Sequence, residues 1–188
     1  MQTALPSEFR RGMVVMVDNA PHIIEDLRLS GTAQTKHKLH CKLRNLRNGR
    51  VFERVFGDTE RVAVLELEQR RVQFSYLRGD TYVFTDSDTF EELELTKEQI
   101  GDRKLFLKDD LELKAMFLDG KLLDIVMPGH VTLKVIETAP PQKGGSDSAW
   151  KAAKLESGLE IMVPLFVGVG DLIRVDTQER KYLGKESH

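Results

Sequence analysis

The chain has 188 residues, 28 basic against 30 acidic, for a formal charge of −2, and 40% of it is hydrophobic. That composition is too apolar for a disordered chain and lacks the basic excess of a protein that coats nucleic acid uniformly. No stretch reaches the ~18 consecutive apolar residues of a membrane span, residues 1–12 have no apolar signal core, and the single Cys41 excludes an internal disulfide framework, so a soluble cytoplasmic protein is expected.

Taken in chain order, the dominant hydrophobic period is two. Residues 13–17 form a short apolar run that ends at Asp18-Asn19-Ala20-Pro21, a turn signal, and residues 22–29 read as a strand. Residues 30–35 are small and polar, with loop character. Residues 38–44 alternate polar and apolar, as a half-buried strand does, with Cys41 as a small core residue. Asn48-Gly49 before the strand at 51–56 predicts a hairpin turn with φ > 0 at both positions. A strand at 62–67 closes the first block.

The second block follows the same style, with strands at 71–77, 81–84 and 89–95. Thr96, Gln99 and Gly101 then predict a short helix with a capping box and a glycine stop. Asp119-Gly120 joins strands at 111–118 and 121–126 as a second hairpin. The third block holds strands at 131–136, 159–165 and 171–176, with a Pro- and Gly-rich loop at 140–146 and Tyr182 on the last strand. Many short strands separated by polar turns predict an all-β chain of three small barrels of SH3-like or OB type: 1–64, 65–127 and 128–188. Each is small for an independent core, so adjacent barrels are expected to pack on one another.

The even overall charge hides an asymmetry. Residues 1–64 carry +4, residues 65–128 carry −6 and residues 129–188 carry 0. Eight Lys/Arg and one acid lie between Arg28 and Arg54. Such a focused strip suggests a local polyanion contact, with a solvated face of ordinary strands as the plain alternative.

The sequence holds no G-x-S-x-G, Walker A loop or H-E-x-x-H. His37 and His40, three apart on a strand, fall on opposite faces, so no metal site is expected. No catalytic residue and no cofactor is indicated. The aromatics Phe52, Phe56, Phe74 and Tyr76 sit at period-two positions expected of core.

Residues 151–170 match the pattern K-x-A-x4-G-x2-[LIV]-x-V-P-x2-[LIV]-x2-G at every fixed position, through Lys151, Ala153, Gly158, Val163, Pro164 and Gly170. This resembles the signature of the elongation factor P family. The resemblance extends to Phe9-Arg10-x-Gly12, to Lys42-Leu43-Arg44-Asn45-Leu46 and to Ile173-Arg174-Val175-Asp176-Thr177. The stretch 70–76 with Tyr82-Val83-Phe84 looks closer to the elongation factor P-like branch.

The resemblance implies an L-shaped molecule, an SH3-like (KOW-like) barrel followed by two OB-fold barrels. It implies a monomeric, non-enzymatic translation factor whose partners are the 70S ribosome, its rRNA and the P-site peptidyl-tRNA. Its effect would be positional, relieving stalling at polyproline-type motifs by aligning the tRNA for peptide-bond formation. A general OB-fold RNA-binding module is the alternative. The implied tip near the tRNA CCA end is Thr32, Ala33, Gln34 and Thr35. The family's modified lysine falls on Gln34, so the tip is expected to act unmodified; otherwise Lys36 or Lys38 supplies the amine after a register shift. Arg28, Lys36, Lys38, Lys42 and Arg44 are the expected phosphate contacts.

Overall fold

The computed structural model describes residues 2–31, 37–143 and 149–186. Strands β1 (Gln2–Ala4), β2 (Val14–Val17), β3 (Ala20–Ser30), β4 (Lys38–Asn45), β5 (Val51–Gly57) and β6 (Val62–Leu65) form one antiparallel sheet in the order β1-β6-β2-β3-β4-β5. In β4 the expected alternation is explicit: Leu39, Cys41 and Leu43 point inward while the residues between them face out. They join Val15, Val17 and Ile24 around Phe9 and Phe56, whose rings meet edge to face at 5.4 Å. Cys41 is fully buried, and burial pushes its thiol up to about 11. Iodoacetamide at pH 8 is therefore expected to leave native Cys41 unlabelled and to label it after denaturation, as read by intact mass.

The second sheet contains β7 (Glu68–Arg78), β8 (Thr81–Asp86), β9 (Glu92–Thr96), β10 (Glu112–Leu118) and β11 (Lys121–Val126), in the order β11-β10-β7-β8-β9. The third contains β12 (His130–Thr138), β13 (Trp150–Leu155), β14 (Glu160–Pro164), β15 (Leu172–Asp176) and β16 (Tyr182–Lys185), in the order β14-β13-β12-β15-β16. The two share one topology. The first strand of each is central, the second and fourth strands flank it, and the third and fifth lie outermost. Those outermost strands approach one another in both sheets, β9 with β11 and β14 with β16, which curls each sheet into an OB-type barrel. The second and third barrels share one apolar cluster, from Val72 and Phe84 to Leu133 and Val175.

Local signals hold where the chemistry is local. Asp18-Asn19 (φ 51° and 60°) and Asp119-Gly120 (φ 51° and 80°) make two-residue turns with both residues left-handed. Thr96 caps helix α1 (Lys97–Ile100): its hydroxyl accepts from Gln99 N, while the Gln99 side chain accepts from Thr96 N.

Other expectations are corrected. Between β4 and β5 the connection runs through five residues, 46–50, and only Gly49 has positive φ (78°). The extra length lets Leu46 bury itself beside Val14 and Met116. Phe52 and Tyr76 are not core: they are 37% and 40% exposed. A bulge between Phe74 and Tyr76 resets the alternation of β7 and turns Tyr76 outward, its hydroxyl 3.3 Å from Glu92. The strand expected from residue 89 starts at Glu92, because residues 87–91 form a turn around Asp86, whose carboxylate accepts from Asp88 N and Thr89 N. Those backbone hydrogen bonds hold the Asp86 carboxyl below its usual range. Strand β13 carries no period-two signal that residue type alone reveals, since Ala and Lys are weak strand formers.

Candidate nucleic-acid interface

Strands β3 and β4 form a long two-stranded arm. Their register runs from His22↔Asn45 out to Ser30↔Lys38. The proposed tip, Thr32, Ala33, Gln34 and Thr35, together with Lys36, lies outside the described residues. Partner residues in this register share a face, so Ser30, Lys38, Arg28, His40 and Lys42 lie on the outward side, opposite Leu39 and Cys41. Ser30 Oγ and His40 Nε2 are 2.8 Å apart and tie the two strands near the tip. Among the described residues, none of Arg28, Lys38 and Lys42 makes an ion pair; Arg28 and Lys42 line an open cleft of about 400 Å³ with His40 and Glu53. Unpaired cations of this kind can meet phosphates without first breaking an internal bridge.

Arg44 differs from the other expected phosphate contacts. Its guanidinium is held by Glu25 and by Asp124, and the side chain is only 12% exposed. Burial alone would lower its pKa, but the two carboxylates outweigh that and hold it above the ordinary value. Arg44 is thus committed within the protein and is not available as a phosphate contact. It belongs to the junction behind the arm.

That junction joins the first barrel to the second. Asp124 accepts from Arg44, from Arg103 Nη2 at 2.7 Å and from Ile125 N at 2.8 Å. Arg103 also donates to the carbonyls of Gln99, Ile100 and Ile125. The Gln99 amide donates to Leu46 O in the first barrel and to Leu123 O in the second, at 3.3 and 3.4 Å. Sequence reading missed Asp124 and Gln99 in this role, because their partners are distant along the chain.

The 151–170 pattern has a structural account in the third barrel. Lys151 Nζ donates to Ala139 O at 2.5 Å, and Ala153 and Val163 are buried. Gly158 (φ 94°) makes the β13–β14 turn against Leu105 of the second barrel, where Ser157 Oγ donates to Leu105 O. Gly170 (φ 92°) donates its N–H to Val135 O at 2.8 Å. Its fixed positions shape the barrel and its seam. Among the described residues, no group of three or more His, Cys, Asp or Glu is arranged to hold a metal ion, and no helix is long and apolar enough to cross a membrane.

Family comparisons agree with this build. Residues 6–62 match the elongation factor P KOW-like domain, residues 67–125 the elongation factor P OB domain and residues 131–185 the elongation factor P C-terminal domain. A KOW-like barrel followed by these two domains places the chain among translation elongation factors. The chain belongs to the elongation factor P family. Elongation factor P of Nitratidesulfovibrio vulgaris (strain DP4) is 38% identical over 181 residues, covering 96% of this chain and 98% of that protein. Elongation factor P of Prochlorococcus marinus (strain MIT 9301) is 38% identical over 183 residues, with the same shares covered. A solved structure, eukaryotic translation initiation factor 5A from Methanococcus jannaschii, is 21% identical and covers 66% of this chain and 94% of that chain, with a TM-score of 0.46.

Proposed function

We propose that this chain acts in the cytoplasm as a monomeric, non-enzymatic factor that binds the 70S ribosome and its rRNA beside the P-site peptidyl-tRNA. There it speeds peptide-bond formation where the nascent chain stalls, at polyproline-type motifs. The observation that carries the reading is the β3–β4 arm of an elongation factor P family member, with Arg28, Lys38 and Lys42 on its outward face and in no ion pair among the described residues. Such an arm brings cations to a phosphate backbone and presents the residues at its end, Thr32 to Thr35, to the tRNA terminus. The contribution is alignment of reactants, with no bond made to the protein.

Reversing Arg28, Lys38 and Lys42 to Glu is expected to weaken co-sedimentation with ribosomes and to flatten its dependence on salt, since fewer counterions are released. Unchanged binding and slope would remove the arm from the interface. Gln34→Ala is expected to leave ribosome binding intact and to slow synthesis through consecutive prolines in a reconstituted translation assay. An unaltered rate would sink the role given to an unmodified Gln34. Footprinting beside the P site separates this reading from a general RNA-binding module, which would protect no fixed position.

A further inference from the structure

Val51 and Phe52 separate the cleft on the arm from a second one, of about 390 Å³, between the β2–β3 turn and the β4–β5 connection. His22 lines it, although the residue is only 2% exposed. Its Nδ1 lies 2.9 Å from Ala20 O. A carbonyl oxygen only accepts, so in the neutral ring Nδ1 carries the proton and Nε2 is an acceptor. Among the described residues nothing donates to that Nε2. The atom stays open to the cleft, so a donor group that enters can replace water there.

The rest of the lining is complementary in kind. Asn45 Oδ1 accepts from Arg47 N and Asn48 N, and Asn48 Oδ1 accepts from Arg50 N. Both amides are thereby oriented, and their NH₂ groups have no acceptor among the described residues. Arg50 makes no ion pair there. Phe52 stands edge to face with His22 at 5.3 Å and stays partly exposed. Asp18 brings one carboxylate to the cleft.

An apolar peptide side chain would leave His22 and both amides unpaired. A bare phosphate would use Arg50, but it would leave the Phe52 face uncovered and would meet the Asp18 carboxylate. A nucleotide answers every group. Its base has a π-face for Phe52 and donors and acceptors along its edge, its phosphate suits Arg50, and its ribose 2′-hydroxyl suits Asp18. The neighbouring cleft, with Arg28 and Lys42, continues the path for adjoining phosphates.

We propose that this cleft on the first barrel holds one unpaired RNA nucleotide, its base on Phe52 with its edge at His22, Asn45 and Asn48, and its phosphate on Arg50. The site deepens the ribosomal reading and rests on it for the source of the RNA. Asp18 is the group that distinguishes ribose from deoxyribose.

The test is an NMR titration of the full chain with the homopolymeric tetraribonucleotides of A, C, G and U, and with the deoxy form of the tightest. Shifts are expected at the His22 ring, the side-chain amides of Asn45 and Asn48, and Phe52. Phe52→Leu and Arg50→Ala, with unchanged spectra elsewhere, should each weaken binding about tenfold. Asp18→Asn should erase the preference for RNA over DNA. Shifts confined to Arg28–Lys42, or variants that bind as tightly as the parent, would overturn the site even if the chain still pellets with ribosomes. Cleft-centred shifts in a chain that fails to pellet would keep the site and overturn only its ribosomal source.

Discussion

Asp124→Ala is expected to destabilise the protein by about 3 kcal/mol, measured as a fall in the urea midpoint at unchanged slope. The carboxylate is only 1% exposed and serves guanidiniums from two barrels, Arg44 and Arg103. Removing it leaves two mostly buried cations facing an empty place, and uncompensated buried charge costs about 3–5 kcal/mol. The low end applies because Arg44 keeps Glu25 and Arg103 keeps its backbone carbonyls. The exposed Arg11–Asp26 bridge supplies the control, since its loss should fall within about 1 kcal/mol. A midpoint for Asp124→Ala no lower than that of Arg11→Ala would show that the junction does not depend on this carboxylate.

Gly49→Ala should be nearly as damaging, and comparison with Gly12→Ala isolates the reason. Both glycines have positive φ, 78° and 90°. An L-residue there costs roughly 1–2 kcal/mol in either case. A Cβ on Gly12 meets open space, whereas one on Gly49 would stand 2.2 Å from Glu98 O and 2.9 Å from Glu98 C. Those are backbone atoms at the start of α1, so the β4–β5 connection must lift off the second barrel, adding roughly 1–3 kcal/mol of overpacking. The expected signature is a larger stability loss than in Gly12→Ala, with amide shifts at Glu98 and Gln99. Equal losses from the two substitutions would mean that the close approach carries no weight.

These effects mark where sequence reading stops. The alternation of Leu39, Cys41 and Leu43, the turns at Asp18-Asn19 and Asp119-Gly120, and the Thr96–Gln99 box were legible because each rests on residues within a few positions of one another. The cations of the arm were legible as charge density. Arg44 was not separable from them, because the carboxylate that claims it lies 80 residues downstream. Phe52 and Tyr76 followed the pattern of core residues, yet an edge position and a bulge put them at the surface. His22 carries no motif at all. Its significance comes from one bond to Ala20 and from the side chains that pairing brings around it.

The two seams between barrels differ in what they tolerate. Between the second and third barrels, shared apolar side chains supply a broad non-directional contact, with the Ser157–Leu105 hydrogen bond beside it. Between the first and second, charge and amide groups, which bind only in a narrow range of directions, add to the small apolar cluster of Val14, Leu46 and Met116. Asp124, held by guanidiniums of both barrels, is the group that gives that seam its direction.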